Sequence, residues 1–478
     1  MAVAEQLSKE QQAASNAAHL VACGRAAMEI FVKADQARVD EAVTALAWAI
    51  YKDDRARELA ELAVTDTGLG NVADKIIKNQ RKTFGTLRDL LRARTVGVIE
   101  EDPAKGLVKY AKPVGVVAAV TPSTNPAATP VNKAMMAIKG RNAVVIAPSP
   151  AGYATTARTV EFMRQELERI GLPADLVQIL PAPVNRASTQ AIMAACDLVV
   201  VTGSQNNVRG AYSSGTPAIG VGAGNVPVII DESADLDAAA QKICASKTFD
   251  NATSCSSENS VIIPESIYDS AMAALVRAGA YRCSDAEKTR VQGALWPNGH
   301  LSRDLLAKDA DVFANHVGLG EGAAGAKFFL VEDEGVGEKH PFSGEKLSLV
   351  LTVYRVPDFD AAVEQVTSVL KFQGMGHSCG IHTNDHTRAQ RLAEELDVVR
   401  VLVNQAHTFG NGGSFDNGFN FTLSMGCGTW AGNSISENLN YRNFINITHL
   451  STTIPEDRPS EEALFGGYWE KYGQADAS

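Results

Sequence analysis

The 478-residue chain lacks the features that mark several other classes of protein. No C-x-x-C pair occurs, so neither a zinc site nor a disulfide framework is predicted. No apolar run approaches the ~20 residues that a membrane-spanning helix needs. The net charge is −11, and no block of lysine or arginine interleaves with aromatic residues. A nucleic-acid or anionic membrane surface is therefore not expected.

The seven cysteines are odd in number and widely scattered, which suits a reducing compartment. Residues 1–16 are polar and lack the apolar stretch of a secretory signal peptide, so we expect a cytoplasmic protein. Hydrophobic residues make up 45% and charged residues 21% of the chain, the balance of a globular protein large enough for two or three domains. The cysteines are Cys23, Cys196, Cys244, Cys255, Cys283, Cys379 and Cys427.

Apolar periodicity predicts an α/β protein. The first 95 residues indicate mainly helix, with a helix over Ala22–Tyr51. Four apolar strands then alternate with helices, and the first of these helices is predicted to start at Thr129-Pro130. A second α/β region follows, and residues 405–433 form a glycine-rich, charge-poor segment of a length that favours a functional loop. The predicted strands are 114–120, 142–147, 176–180 and 198–202, then 260–263, 349–354, 380–383 and 398–404. Continuous apolar strands indicate parallel sheets covered on both faces.

Several residues could carry chemistry, although each alone has an ordinary structural interpretation. Cys255 has small polar neighbours, which suit a reactive thiolate better than a buried structural cysteine. Cys427, between two glycines, is the rival thiol, although a tight turn explains it as well. The three glycines in 220–224 permit close backbone approach to a ligand or to a neighbouring element. His377 and Glu345 are candidates only in combination with the others.

Taken together, these segments resemble the aldehyde dehydrogenase superfamily, and within it the CoA-acylating branch. The resemblance covers residues 22–455, with the motifs in the order and spacing of the family. Phe249-x-Asn251-x-x-x-Cys255 resembles the nucleophile motif, and residues 121–126 resemble the segment whose asparagine, here Asn125, stabilises an oxyanion. Residues 345–347 resemble the motif whose glutamate holds the nicotinamide ribose.

The resemblance implies a Rossmann-type cofactor domain, a second α/β catalytic domain and a small oligomerisation segment. Cys255 would attack the aldehyde, and Asn125 with the Cys255 backbone N–H would stabilise the oxyanion before hydride passes to the nicotinamide. His377 matches the histidine that the acylating branch places near the CoA thiol. The positions implied to contact the dinucleotide are Glu345, Thr202, Gly203, Ser204, Pro148, Ser149, Thr121 and Gly222. A metal ion has no part in this chemistry.

One departure from the superfamily pattern selects the acylating reaction. Hydrolytic members activate water with a glutamate, and Val221 occupies that position here, so water loses its general base. CoA is therefore the expected acyl acceptor. A hydrolytic enzyme that uses Glu258 as its base stays an alternative, as does a catalytically silent assembly protein.

A second departure bears on the dinucleotide. Residues 147–150 lack the lysine and the ribose-binding glutamate of the usual motif, which slightly favours NADP over NAD.

The expected substrate is a short anionic aldehyde, sulfoacetaldehyde first and succinic semialdehyde second, with acetaldehyde or propionaldehyde as further alternatives. This expectation rests on the resemblance of residues 405–415 and 421–426 to acylating enzymes for such aldehydes. Arg81 and Lys82 lie on the helix that lines the substrate tunnel in the wider family, although they could equally be solvated charges. His407, Thr408 and Ser424 could add contacts to the anion.

The resemblance also predicts the domain organisation. The cofactor-binding domain would span 1–223, with 99–112 in the oligomerisation element, and the catalytic domain would span 224–430. Residues 431–478 would form an oligomerisation segment and tail, within which 435–448 pairs with a partner subunit. A homodimer, or a homotetramer built from dimers, is expected.

Overall fold

The structure, a computed structural model, describes residues 8–474. Its helices are α1 (Lys9–Phe31), α2 (Gln36–Tyr51), α3 (Asp53–Thr67), α4 (Val72–Leu91), α5 (Ala128–Lys139), α6 (Tyr153–Arg169), α7 (Arg186–Ala195), α8 (Gln205–Tyr212), α9 (Leu236–Thr248), α10 (Tyr268–Arg277), α11 (Asp285–Leu295), α12 (Ala310–Val317), α13 (Phe359–Phe372), α14 (His386–Glu395), α15 (His407–Gly410) and α16 (Glu461–Tyr472).

The strands are β1 (Gly97–Asp102), β2 (Leu107–Pro113), β3 (Val116–Thr121), β4 (Ala143–Pro148), β5 (Val177–Ile179), β6 (Leu198–Val201), β7 (Ala218–Gly220), β8 (Val226–Ile230), β9 (Glu258–Pro264), β10 (Ala280–Arg282), β11 (Phe328–Glu332), β12 (Val350–Val356), β13 (Cys379–His382), β14 (Val401–Val403) and β15 (Ile445–Ser451). The predicted α/β class is confirmed.

The predicted helical beginning is confirmed, but two helix boundaries are wrong. The helix expected over 22–51 is two helices, because the Asp35 side chain accepts a hydrogen bond from the Arg38 N–H and caps a new start at α2. Helix α5 begins at Ala128, so Thr129 and Pro130 lie inside its first turn. The Thr129 N–H donates to the Asn125 carbonyl, which places Asn125 at the entrance to α5.

The first sheet has five parallel strands in the order β5-β4-β3-β6-β7. The chain enters at β3, adds β4 and β5 on one side, and then returns to add β6 and β7 on the other. A crevice forms where the strand order reverses, between β3 and β6 at their carboxyl ends, and nucleotides bind at such crevices in open α/β sheets. The three-residue strand β7 was too short to show in the sequence.

The second sheet has seven parallel strands in the order β10-β11-β12-β9-β8-β13-β14. All four strands predicted for this region are present, whereas β8, β10 and β11 were missed. The chain leaves the first sheet at Gly220 and enters the second at Val226. The connecting residues 221–225 therefore pass between the two sheets, next to the candidate nucleophile.

A third, antiparallel sheet joins β1, β2 and β15. It brings the segment 99–112 together with the chain near 445–451, the two regions predicted to take part in oligomerisation. Strand β15 is an edge strand and is mostly exposed, with Ile447 and Leu450 about half accessible. Among residues 8–474, the helices are all too short or too polar to cross a bilayer.

Candidate active site

Three segments singled out in the sequence meet around Cys255. A Cβ atom added to Gly224 would lie only 1.9 Å from the Cys255 carbonyl oxygen, so the two backbones are in close contact there. A Cβ atom added to Gly222 would lie 3.1 Å from the Cys427 Sγ. A side chain on Gly376 would lie 2.0 Å from the Cys427 carbonyl oxygen. The predicted close backbone approach at the glycine-rich segment is therefore confirmed, and it sets Cys255, Cys427 and the residue before His377 side by side.

The loop that carries Cys255 begins with an unusual backbone turn. Asp250, Asn251 and Ala252 all have positive φ, at 50°, 52° and 60°. A left-handed conformation costs a non-glycine residue about 1–2 kcal/mol, so three in succession need support from the surrounding structure. The Asn251 side chain donates to the Asp309 carboxylate at 2.7 Å. The turn precedes Cys255, and both sequence neighbours of Cys255, Ser254 and Ser256, line the cavity described below.

The Asp250 carboxylate provides the main support for this turn. It is fully buried and accepts hydrogen bonds from the Lys75 ammonium at 3.0 Å, the Asn71 N–H at 3.0 Å and the Thr253 hydroxyl at 2.8 Å. The Lys78 ammonium forms a second ion pair with it. Burial acts to raise the pKa of Asp250, but the two ammonium groups outweigh it and the pKa is lowered. Asp250 is therefore an anion that fastens the nucleophile loop to α4.

Sequence reasoning missed Lys75, Lys78 and Asp250, although a signal was present. Lys75, Lys78 and Lys82 are spaced three and four residues apart, which places them on one face of α4. A face that presents three lysines needs either solvent or a buried acid. All three are buried, and Asp250 is the acid that two of them contact. Aspartate and asparagine are also the non-glycine residues that most readily adopt positive φ.

The same lysine orients the predicted oxyanion donor. The Lys78 Nζ lies 2.9 Å from the Asn125 Oδ1. An ammonium group can only donate, so the oxygen of the amide must face Lys78 and the Nδ2 must point the other way. Asn125 lines the cavity, and its Nδ2 makes only a long contact, 3.4 Å, with the Thr124 hydroxyl. Asn125 thus presents a donor with a determined orientation, as an oxyanion-stabilising group requires.

The state of the Cys255 thiol corrects an expectation from the sequence. Burial, together with the charges of Glu345 and Cys427, raises the pKa of Cys255 to about 12, and Arg400 and Ser256 act in the opposite direction. The small polar neighbours suggested a thiolate, but they do not bring enough solvent to the sulfur. The thiol is protonated at neutral pH in the ligand-free chain, so catalysis has to include its deprotonation.

A narrow cavity borders the loop that carries Cys255. Both neighbours of the nucleophile line it, as do Asn125 and three cations of one helix. These residues are Ser254, Ser256, Asn125, Lys78, Arg81 and Lys82. A cavity that joins a nucleophile, an oxyanion donor and a group of cations can hold a small aldehyde that carries a negative charge.

Arg81 is held in place and keeps one donor free. Its guanidinium lies 5.2 Å, 5.8 Å and 5.4 Å from the ring centroids of Phe409, Phe415 and Phe421. The Nη2 donates to the Ser414 hydroxyl at 2.9 Å. The Nη1 is buried and has no hydrogen-bond partner among residues 8–474. Arg81 is thus not the solvated helix charge of the alternative interpretation, because it faces the cavity with an unused N–H.

Lys82 is buried beside it. The Nζ donates to the Gly412 carbonyl at 2.8 Å, which leaves further N–H groups for a ligand. Burial, followed by the charges of Arg81 and Lys78, lowers the pKa of Lys82 to about 7, whereas the charge of Cys255 raises it. Lys82 therefore changes charge near neutral pH.

Two of the predicted substrate contacts lie elsewhere. Thr408 lines the cavity, and its buried hydroxyl has no partner in the described part of the chain. His407 points the other way and bonds to the Ser378 hydroxyl. Ser424 bonds to the Thr202 hydroxyl. Neither His407 nor Ser424 is among the residues that line the cavity, and their contact with the anion stays a prediction.

The residues predicted to hold the dinucleotide meet at the carboxyl edge of the first sheet. Thr121 ends β3, Pro148 ends β4 and is paired with it, and the Ser149 N–H donates to the Thr121 carbonyl at 3.0 Å. Thr202 follows β6, and its N–H donates to the Val120 carbonyl at 3.1 Å. The Thr121 hydroxyl is buried without a partner among the described residues. This edge includes the crevice identified from the strand order, where a dinucleotide is predicted to bind.

The turn after β6 leads into α8. Gly203 separates Thr202 from Ser204, and the Ser204 hydroxyl caps the helix by accepting from the Asn207 N–H. The helix start presents backbone N–H groups toward the crevice, an arrangement suited to a pyrophosphate. Gly222, beyond the end of β7, donates its N–H to the Asn433 side chain at 2.9 Å. These groups lie where the resemblance placed them, although their contact with a dinucleotide stays a prediction.

Glu345 lies close enough to Cys255 for its charge to act on the thiol. Its backbone N–H donates to the Gln373 side chain at 3.0 Å. Burial raises the pKa of its carboxyl to about 7, and the nearby Lys247 and Lys346 act in the opposite direction. Its charge also raises the pKa of Cys255, which shows that the two groups are close. A carboxylate at this point could accept the hydroxyl groups of a ribose.

Val221 and Glu258 are the two positions at which a general base for water was considered. Val221 continues the pairing of β7 with β6 through its N–H and is buried. Glu258, the alternative base for water, starts β9 and is fully buried outside the cavity lining. Its Oε1 accepts the His407 backbone N–H at 3.2 Å. Neither position offers a carboxylate to a water in front of Cys255.

The family model described as "Aldehyde dehydrogenase family" matches residues 4–303. The chain is 53% identical over 465 residues to a sulfoacetaldehyde dehydrogenase (acylating) of Cupriavidus necator, which covers 97% of this chain and 94% of the relative.

Solved structures give the same result. An acetylating aldehyde dehydrogenase from Geobacillus thermoglucosidasius superposes with a TM-score of 0.90 at 34% identity, covering 95% of this chain and 100% of that one. A propionaldehyde dehydrogenase from Rhodopseudomonas palustris, with bound CoA and an acylated cysteine, superposes with a TM-score of 0.82 at 25% identity. That comparison covers 91% of this chain and 97% of the other.

Proposed function

Since this chain belongs to the aldehyde dehydrogenase family, we propose that it converts a short anionic aldehyde, NAD(P)⁺ and CoA into acyl-CoA and NAD(P)H. Sulfoacetaldehyde is the proposed substrate. The observation that carries the proposal is the presence of Arg81 and Lys82 on the wall of a narrow cavity that both sequence neighbours of Cys255 also line.

The order of bond changes follows from the residues in place. The Cys255 sulfur, once deprotonated, adds to the aldehyde carbon, and the Asn125 Nδ2 donates to the oxygen that becomes negative. The nicotinamide supplies the hydride acceptor, and Glu345 is placed to hold its ribose. Loss of hydride leaves a thioester on Cys255. The CoA thiol then takes the acyl group and Cys255 regains its proton.

Transfer to CoA rather than to water is supported by the valine at position 221 and by the placement of Glu258. General-base assistance contributes about 10²–10⁴-fold to such a step, so water without a base is a poor acceptor. The acylating enzyme of Cupriavidus necator and the CoA-bound structure with its acylated cysteine are consistent with this choice. Hydrolysis of the thioester by water is not supported by comparable observations.

An anionic substrate explains why Arg81 keeps a buried, unused N–H. A sulfonate offers three acceptor oxygens, which can reach the Arg81 Nη1, the Lys82 ammonium and the Thr408 hydroxyl. Hydrogen bonds to charged groups contribute about 1.5–3 kcal/mol each. An uncharged aldehyde would leave these donors without partners, which is costly in a buried site.

The substrate proposal predicts a selectivity that kinetics can measure. Sulfoacetaldehyde should have a kcat/KM at least about 100-fold above propionaldehyde, and Arg81→Ala should raise KM for the anion by about 10- to 100-fold while sparing propionaldehyde. Arg92→Ala is the matched control, because Arg92 lies at the carboxyl end of the same helix, is exposed and does not line the cavity. Succinic semialdehyde tests a carboxylate against a sulfonate. A preference for propionaldehyde would contradict the anionic substrate and leave the acylating reaction intact.

Lys82 predicts how this selectivity changes with pH. Its lowered pKa means that the ammonium is present below about pH 7 and is lost as the pH rises through that value. The kcat/KM for sulfoacetaldehyde divided by that for propionaldehyde should therefore fall between pH 6 and pH 9, and the ratio cancels effects common to both substrates. Lys82→Met should give a low ratio that no longer depends on pH. A wild-type ratio that is constant across this range would argue against a role for Lys82.

The remaining properties are part of the same proposal. Either dinucleotide fits the carboxyl edge of the first sheet, and the residues at 147–150 favour NADP. The exposed edge strand β15 supports pairing with a second subunit, in a dimer or a tetramer of dimers. The seven cysteines are all unpaired, which suits the cytoplasm.

A further inference from the structure

His377 belongs to a buried hydrogen-bonded chain that the mechanism above does not use. Its Nδ1 lies 2.8 Å from the Ser378 hydroxyl, and the same hydroxyl lies 2.9 Å from the His407 Nε2. All three side chains are buried. The His377 Nε2 and the His407 Nδ1 are also buried, and neither has a partner in residues 8–474. This hydrogen-bonded chain therefore ends at two ring nitrogens that form no hydrogen bond with any described protein group.

The single hydroxyl couples the two rings. Ser378 has one proton to donate, so it donates to one ring nitrogen and accepts from the other. If the His377 Nδ1 carries a proton and donates it to Ser378, then Ser378 donates to the His407 Nε2. In that arrangement the His377 Nε2 has a free lone pair. Burial, and then the charge of Arg400, lowers the pKa of both histidines, so both rings start neutral.

The hydrogen-bonded chain of His377, Ser378 and His407 lies close to Cys255, where acyl transfer is proposed to occur. Arg400 donates to the His377 carbonyl at 3.1 Å and to the Gly426 carbonyl at 2.8 Å. Its charge acts on both the Cys255 thiol and the His377 ring. The residue before His377 packs against Cys427, which is itself next to Cys255. His377 is thus attached to the wall on which the thioester forms.

We propose that His377, Ser378 and His407 form a proton relay that serves acyl transfer to CoA. The inference rests on the proposed acylating function. The CoA thiol gives its proton to the His377 Nε2, the Nδ1 proton passes to Ser378, and the Ser378 proton passes to the His407 Nε2. The thiolate of CoA adds to the thioester carbon, and the bond between that carbon and the Cys255 sulfur breaks. The relay then runs in reverse and returns the proton to Cys255.

The relay explains why a second histidine is needed. A proton that stayed on His377 would place a positive charge in a buried site next to Arg400. Passing the proton along the hydroxyl transfers the charge to His407, and His377 remains neutral before and after the step. His377 is the catalytic residue, since it would touch the thiol, whereas Ser378 and His407 act through it and are positioning residues.

Rapid-mixing kinetics separate the relay from a merely structural hydrogen bond. The burst of NAD(P)H formation on mixing with aldehyde reports formation of the thioester, and the rate of acyl-CoA appearance after adding CoA reports its transfer. Ser378→Ala should slow acyl transfer about 100-fold and leave the burst rate and the KM for CoA within a factor of three of wild type. Ser378→Thr keeps the hydroxyl and should restore most of the transfer rate.

His407→Gln provides the decisive comparison. A glutamine can keep a hydrogen bond to Ser378, but it cannot take up a proton at neutral pH. The relay requires His407→Gln to be as slow in acyl transfer as Ser378→Ala, whereas a structural role requires it to behave as wild type. Equal slowing of the burst and of acyl transfer in Ser378→Ala, or wild-type transfer in either variant, overturns the relay. A wild-type enzyme that forms no acyl-CoA would instead refute the proposed function, so the two failures are distinguishable.

Discussion

Replacing Cys255 by alanine should abolish aldehyde-dependent reduction of NAD(P)⁺, a loss on the order of 10⁶-fold, as for other covalent nucleophiles. The physical reason is that the thioester and the transition states that lead to it form on this sulfur alone. The loss should be measured as NAD(P)H absorbance with sulfoacetaldehyde and CoA, and circular dichroism should show an unchanged fold.

The matched control removes the neighbouring thiol. Cys427 has no exposed surface, and its thiol donates to the Met425 carbonyl at 3.4 Å. Cys427→Ala should therefore keep most of the activity, apart from any loss caused by the small void. Turnover above trace in the Cys255→Ala variant would falsify the assignment of the nucleophile. Loss of activity only in the Cys427 variant would transfer the assignment to that residue.

Omitting CoA should reduce steady-state turnover by about 10²–10⁴-fold after a burst of one NAD(P)H per active site. Thioester formation does not need CoA, so the first turnover proceeds. The second cannot start until the acyl group leaves, and neither Val221 nor Glu258 offers a base to water. Mass spectrometry of the intact protein should then find the acyl group on Cys255, and added CoA should release it as acyl-CoA.

Sustained turnover without CoA would contradict the acylating reaction. Continuous NAD(P)H production without CoA, with free acid as the product, would mean that a water is activated by a group other than the missing glutamate. A hydrolytic aldehyde dehydrogenase would then be the correct description. The selectivity for an anionic aldehyde would be unaffected, because it depends on Arg81 and Lys82 and not on the acyl acceptor.

The raised pKa of Cys255 affects the reactivity of its thiol. A thiol whose pKa is raised to about 12 should react slowly with alkylating agents at neutral pH. The ammonium groups of Lys75 and Lys78 do not offset the raised pKa of Cys255, since Asp250 already neutralises much of their charge. Deprotonation of Cys255 is therefore a separate step, distinct from the transfer of the acyl group.

The architecture could be predicted from the sequence because it depends on local periodicity. Continuous apolar runs predicted most strands of both sheets, including the three-residue β5, whereas β7, β8, β10 and β11 were missed. Helix boundaries were less certain, as at Asp35, where a single capping side chain decided where α2 begins. The family, the nucleophile and the missing base at 221 followed from motifs whose residues are close in sequence.

The sequence by itself predicted which groups could take part in the reaction: the Cys255 thiol, the Asn125 amide, the Glu345 carboxylate, and a valine at position 221 in place of a general base. Only the tertiary structure decided that Lys78 orients Asn125, that Asp250 joins α4 to the nucleophile loop, and that His407 faces Ser378 instead of the cavity. The physical reason is that these contacts join residues far apart in the chain, and their geometry is set by how helices and sheets pack. The charge of Cys255 and of Lys82 likewise depends on desolvation, which exists only once the chain has folded.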